Sequence, residues 1–451
     1  MKTVNRSRLK EQYRQEQQQF IERHPRSVEM ADLAARHLVA GVPNSWMTRW
    51  GSKIPLFAAE AQGSRLIDVD GIEYIDFAMG DTGAFSGHSL PEIASAIARQ
   101  AARAITTVLP SEDSIYVGRA LASRFGLPLW QLTLSASDAN RFVLRLLRAA
   151  TGRSKILVFD GCYHGSVDEA LAVLDVSGKV VARPSSLAPA VSPALTTKVV
   201  AWNDVPALEA ALHPQDVACV LTEPLLTNIG IVYPEPGFHD ALRRICDETG
   251  TLLVMDETHT TASGPGGCTA LWGLHPDVIT LGKPVGGGVP VGAYGMTHAV
   301  ADQVVGAIRD WGVDVSGIGG TLTGNALSVA AMRATLEHSM CPEDFAISDP
   351  LAAEFKTQVA EVIRRWELPW SVEIVGSRCE YLFCPQPRNG AEGRAGIDDE
   401  LHDYINLFSM NRQILLAPFA NLVHFTSSHQ RSDVERHTEV FEAAIHSLFA
   451  S

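Results

Sequence analysis

The residue whose setting most resembles reactive chemistry is Lys283, within DVITLGKPVGGGVPVGAYG (residues 277–295). An apolar run ends at Gly282-Lys283, and three glycines follow. A lysine after a strand is most often a surface residue. A lysine at a strand end among glycines can also act as an amine nucleophile, because desolvation disfavours its ammonium form. The segment is not a phosphate-binding P-loop. Asp277 stands where that motif needs its first glycine, and Pro284 where it needs Ser or Thr. A second apolar run, LLVMDETHTT (252–261), delivers Asp256 and Glu257 to its end. Such a pair is commonly solvated. A buried carboxylate of this kind could instead keep a pyridinium ring protonated, so that the ring absorbs the electrons of a carbanion.

Four further segments are compatible with the same chemistry. TLSASDAN (133–140) opens a helix, and Ser135, Ser137 and Asp138 suit its N-terminus. Free N–H groups there also favour an anion such as phosphate. Tyr163 and His164 follow a strand between Gly161 and Gly165, where an aromatic ring can stack on a flat ligand. Glu223 ends the run Leu221-Thr222. Thr321 lies in GGTLTGN (319–325), a loop whose hydroxyls can reach a phosphate.

These residues need a scaffold that presents strand ends. Between about residues 80 and 330, short apolar runs recur at 156–159, 199–202, 218–222, 252–255 and 278–281. Amphipathic segments such as 206–212 and 237–249 separate them. That alternation predicts an α/β fold with a mainly parallel sheet and ligands at the strands' carboxyl ends. Upstream, 5–40 reads as two helices, the second over 28–40. The first is very polar, either a solvated arm or a helix laid across a partner. Two β-rich runs flank Asp70-Gly71, a hairpin signal. Downstream, helical runs at 327–336 and 351–366, strands at 371–375 and 380–384, and a last helix over 433–449 predict a smaller α+β domain. PQPRNGAEGRAGIDDE (385–400) reads as a surface loop. The expected division is 1–80 (N-terminal helices and hairpin, joining the small domain), 81–330 (large domain) and 331–451 (small C-terminal domain).

Composition excludes little but points one way. The chain has 451 residues, with 37 basic against 51 acidic side chains, a balance unsuited to nucleic acid or an anionic membrane. Seven scattered cysteines form no C-x-x-C pair, so neither a disulfide framework nor a bound metal is expected. The first residues lack the apolar core of a secretory signal, and no apolar stretch suits a bilayer span, so the expected compartment is cytoplasmic.

In this order and spacing the six segments resemble class III aminotransferases of fold type I. The match is to the group of glutamate-1-semialdehyde aminomutases and β-amino-acid or amine (omega) transaminases, from DVDGIEYIDF to the terminal helix. The resemblance implies pyridoxal 5'-phosphate (PLP) as cofactor. It implies Lys283 as the Schiff-base lysine and proton carrier, and Asp256 as partner of the pyridine nitrogen. Ser135, Ala136 and Ser137 correspond to the phosphate cup, Tyr163 to the ring-stacking aromatic with His164 beside it, and Glu223 to the carboxylate near the ring hydroxyl. Thr321 corresponds to a threonine that reaches the phosphate of the other subunit, which implies a homodimer with shared active sites.

The chain departs from that pattern in places. The cup reads Ser-Ala-Ser-Asp instead of Ser-Gly-Thr-Glu, and Thr258-His259 replaces the aliphatic residue expected after Asp-Glu. Near the N-terminus Arg49 is one residue out of register with the substrate-carboxylate arginine of relatives, and Arg412 is the nearest arginine to a second such position. Trp46, Met47, Trp50, Met79 and Phe85 either line an apolar substrate pocket or are ordinary packing. The resulting expectation is a transaminase that moves an amino group from an amine or β-amino acid to an oxo acid. The alternatives are an aminomutase or racemase on the same scaffold, and a cofactor-binding protein without turnover.

Overall fold

The structure is a computed structural model that describes residues 3–310 and 316–449. The chain divides into two compact units. One comprises Met1–Leu90, Glu343–Gln386 and Gly396–Ser451; the other comprises Pro91–Pro342 and Pro387–Ala395.

The second unit is built on a seven-stranded sheet. Its spatial order is Leu129–Thr133, Gly292–Met296, Val278–Leu281, Leu252–Asp256, Val217–Thr222, Lys155–Phe159, Thr197–Val200. All neighbours are parallel except Gly292–Met296, which runs antiparallel to both of its partners. The cause is connection length. Only residues 282–291 separate this strand from Leu281, and a parallel return needs a crossover of a dozen residues or more. Side-chain alternation divides the sheet between two apolar layers. Val254 and Val278 join Phe142, Val143 and Leu147 of helix Ala136–Thr151 on one face. Met255, Ile279 and Leu281 join Leu121, Val329 and Met332 on the other. Asp256 and Thr280 share parity with Val254 and Val278, so both are aimed at helix Ala136–Thr151.

Segment 385–400 is not simply a surface loop. Gly390–Ala395 forms a short helix in this unit, and Arg394 Nη1 and Nη2 bond both carboxylate oxygens of Asp160, at 3.0 and 2.5 Å. A Cβ on Gly390 would lie 2.2 Å from the Asp160 carbonyl oxygen. Its glycines therefore permit burial where they suggest exposure.

The first unit holds the sheet Ala58–Gln62, Arg65–Asp68, Glu73–Asp76 and Ile414–Leu415, and a three-stranded sheet of Ser371–Val375, Arg378–Leu382 and Leu422–His424. The Asp70-Gly71 hairpin forms, with Gly71 at φ +80°. The polar N-terminal helix, Arg6–Arg23, is not a free arm. Leu9 and Phe20 are buried in this unit's cores, and Glu16 receives Arg412 at 3.0 Å and Asn411 Nδ2 at 2.7 Å. The following helix is shorter than its sequence suggests, Pro25–Ala34.

Candidate active site

The site residues of the second unit meet at the carboxyl ends of its strands. Asp256 ends strand Leu252–Asp256 and is only 3% exposed. Its Oδ2 accepts from Asn140 Nδ2 at 2.8 Å and lies 2.9 Å from His164 Nδ1; its Oδ1 accepts the Thr258 N–H at 3.0 Å. Asn140 also donates to the His164 carbonyl (3.1 Å) and accepts from Thr280 Oγ1 (2.7 Å). Burial alone would push the Asp256 carboxyl up, but the bond and charge of His164 and the Thr258 N–H outweigh it and hold it below its ordinary range. Burial likewise opposes a charge on His164, and the Cys162 and Asp256 side chains overcome it, raising the imidazole well above its usual value. Both directions favour the charged forms of the pair.

The neighbouring Glu257 is held differently. Its carboxylate receives the Cys268 N–H at 3.1 Å, the Thr269 N–H and the Thr260 hydroxyl, so it braces the following turn. Burial drives its carboxyl upward despite those bonds. Of the two adjacent carboxylates, only Asp256 is shifted towards its charged form.

Lys283 is half-buried and follows Gly282 at the end of strand Val278–Leu281. A Cβ at 282 would fall 2.6 Å from Ala136 Cβ, so glycine allows the lysine turn to lie against the N-terminus of helix Ala136–Thr151. Lys283 itself has φ +51°, a left-handed conformation unusual for a residue with a Cβ. Its Nζ lies 2.5 Å from His259 Nε2. His259 Nδ1 is 2.6 Å from Thr227 Oγ1, whose hydroxyl donates to Glu223 Oε2.

The helix terminus beside Gly282 fits a phosphate. Ser135 is the N-cap, and its Oγ accepts the Asp138 N–H at 3.1 Å. The first intrahelical bond is from Ala139 N to Ser135 O, so the N–H groups of Ala136 and Ser137 precede the helical ladder and point off its end. Ser137 Oγ receives the Ser166 N–H at 3.1 Å and steadies the Tyr163–Ser166 loop. Tyr163 donates its backbone N–H to Glu223 at 3.4 Å, and Arg183 lies 5.4 Å from its ring centre. An anion-binding helix end, a buried carboxylate and a strand-end amine in one unit fit a phosphorylated pyridine aldehyde. Thr321 stands on an exposed turn outside this hydrogen-bonded cluster.

The other candidates belong to the first unit. Trp46 is 48% exposed and meets Phe419 edge-on at 5.3 Å. Arg49 is exposed and closes a short helical turn through its N–H to Trp46 O. Trp50 leans on the cluster of Phe20, Tyr74 and Leu407. Phe85 is buried against Phe345. Arg412 bonds Glu16 with both Nη atoms and lies 3.2 Å over the Phe408 ring.

Sequence reasoning does not single out Asn140, Thr280 or Thr227. Asn140 is three residues beyond Ser137, on the same helix face, and Thr280 shares the parity of Val278. Those periodicities are the available signal. Thr227 has none, since it lies in a loop after Glu223.

Comparison with known proteins agrees with this geometry. The class III aminotransferase family matches residues 46–365. A glutamate-1-semialdehyde 2,1-aminomutase of Exiguobacterium sibiricum is 33% identical over 85% of this chain and 87% of its own. The crystal structure of a glutamate-1-semialdehyde aminomutase from Pseudomonas aeruginosa, in complex with PMP, is 42% identical, with a TM-score of 0.97 over 99% of this chain and 100% of that one. An omega-transaminase from Sphaerobacter thermophilus is 27% identical, with a TM-score of 0.84 over 94% and 97%. The chain therefore belongs to the class III aminotransferases of fold type I and is a PLP-dependent enzyme.

Proposed function

We propose that the chain exchanges an amino group for a carbonyl oxygen on a small molecule, with Lys283 as its covalent and proton-carrying residue. The observation that carries this reading is the pairing of a strand-end amine with a charged, buried carboxylate on the adjacent strand. PLP, when bound, supplies an electron sink for the pair of electrons left on the substrate carbon. Lys283 Nζ would hold it covalently, and the N–H groups of Ala136 and Ser137 would hold its phosphate. Tyr163 would cover one ring face. Asp256, held towards its ionised form by His164 and the Thr258 N–H, would hold the proton on the ring nitrogen. Once displaced by substrate, Lys283 Nζ would take a proton from one carbon and return it to another. Thr321, on its exposed turn, would serve the phosphate of a second copy of the chain, which makes a homodimer the expected assembly.

The greater likeness to aminomutases, 42% identity against 27% for the omega-transaminase, supports intramolecular exchange within one amino-carbonyl compound. This reverses the order in which sequence alone ranks the two readings. Transamination from an amine or β-amino acid to an oxo acid is the second reading, favoured by that omega-transaminase likeness. Arg49 remains the candidate for a substrate carboxylate. The test is acceptor dependence. Protein loaded with the amine form of the cofactor should convert glutamate 1-semialdehyde with no second substrate. Turnover of aryl amines or β-amino acids only when an oxo acid is present would support the second reading instead. Borohydride reduction followed by peptide mass mapping should place the cofactor on Lys283; an adduct at another lysine overturns the proposal.

A further inference from the structure

His259 lies beyond the end of the sheet, yet both of its ring nitrogens are engaged. It sits just after strand Leu252–Asp256, with its side chain 12% exposed. Lys283 Nζ faces one edge of the ring at 2.5 Å, and Thr227 Oγ1 faces the other at 2.6 Å. Glu223 lies beyond Thr227, with Oε2 3.9 Å from His259 Nδ1.

Donor counting fixes the direction of these bonds. Glu223 also receives Asn228 Nδ2 at 3.3 Å and the Tyr163 N–H at 3.4 Å, so its carboxylate is surrounded by donors and acts as an acceptor. Thr227 has a single hydroxyl proton and directs it to Glu223 Oε2. The Thr227 oxygen can then only accept from His259, which places the imidazole proton on Nδ1. The lone pair on Nε2 is left facing Lys283 Nζ.

We propose that His259, oriented by Thr227 and Glu223, is the base that takes the proton from Lys283 before the lysine captures the cofactor. One N–H bond of the Lys283 ammonium breaks, its electron pair stays on Nζ, and a new N–H bond forms at His259 Nε2. The positive charge moves to the imidazole, beside the Glu223 carboxylate, and no oxidant or reductant is involved. The outcome is a neutral amine at a strand end, ready to attack an aldehyde carbon. This inference rests on the reading of Lys283 as the cofactor lysine.

The test measures capture rather than turnover. Full-length protein stripped of cofactor is mixed with PLP from pH 6 to 10, and the rise of the visible band is followed by stopped flow. Borohydride trapping identifies the modified lysine. His259→Gln keeps a hydrogen-bonding side chain but cannot accept the proton. Its capture rate at pH 7 should fall roughly 100-fold, the lower end of what a positioned base contributes, and approach the parent rate at the alkaline end of the range, where hydroxide can take the proton instead. Thr227→Val should slow capture roughly 10-fold, since it loses only the orienting bond, and Thr227→Ser should restore it. A His259→Gln rate equal to the parent's, or reduced by the same factor at every pH, overturns the proposal. So does parent-like capture by Thr227→Val. If the parent itself forms no adduct at Lys283, the reading of the lysine fails and this inference falls with it. A normal parent with an unaffected His259 variant removes this inference alone.

Discussion

The two ends of the site are constructed on opposite principles. At the Asp256 end, the carboxylate is bound by one histidine, one asparagine and one backbone N–H, all on regular strands, on the central helix or in tight loops against them. At the Lys283 end, the partners are an imidazole and a hydroxyl on irregular turns, joined in a row to Glu223. Each of those groups can both give and take a proton. On the proposed reading, one unit holds a fixed field at one pole and moves protons at the other. The regular elements supply the first and the loops supply the second.

The largest disruption comes at the mobile pole. Lys283→Ala should lower the amino-transfer rate by about 1,000-fold or more, because the proposed proton carrier and covalent tether go together. Steady-state product formation checks the rate, and the absence of a borohydride adduct checks the tether. At the fixed pole, Asp256→Asn should lower the rate by about 100–1,000-fold, the range for losing one preorganised electrostatic contact. Equal losses with a neutral but hydrogen-bonding residue at 256 and with Ala there would make charge, not geometry, the property that matters.

The same substitution has a pH signature in urea unfolding. Asp256 is depressed in the folded state, so its contribution is present above the ordinary carboxylate range and lost as pH falls through about 4 and below. His164 is raised, so its contribution is complete below about 6.5 and lost as pH rises through its folded value. The stability gap between parent and Asp256→Asn should therefore be widest near pH 5–6 and narrow on both sides. A gap that widens steadily with alkalinity would mean that the pair is not ionic.

Asn140→Ala tests whether the fixed pole depends on its supports. It removes one bond to a charged group, worth about 1.5–3 kcal/mol, so the rate should fall about 10–100-fold while PLP capture remains. The smallest effect belongs to the join between the poles. Gly282→Ala forces a methyl group to within 2.6 Å of Ala136 Cβ and should cost about 1–3 kcal/mol in urea unfolding. Activity at low denaturant should suffer less than stability does.

The fixed pole is largely legible in the sequence, and the mobile pole only in part. Apolar runs locate strand ends well because a buried parallel strand admits few residue types, so Asp256, Lys283 and Glu223 can be assigned to their strands directly. The Ser135 cap can be read because helix starts favour few residues. His259 is visible only as a departure from family pattern, and Thr227 not at all. Their roles depend on two loops meeting in space, which no local periodicity encodes. The antiparallel strand Gly292–Met296 is hidden for a related reason, since its glycines and short approach do not look like a strand. The short helix at Gly390–Ala395 shows the opposite error, where composition suggests exposure and close backbone contact requires glycine.

One backbone angle has a practical consequence. Lys283 holds a left-handed conformation that glycine would adopt at a saving of roughly 1–2 kcal/mol. A library screened only for heat resistance would therefore enrich the substitution Lys283→Gly and discard the amine to which the proposed chemistry is assigned. Any campaign to harden this scaffold must read colour or turnover alongside melting.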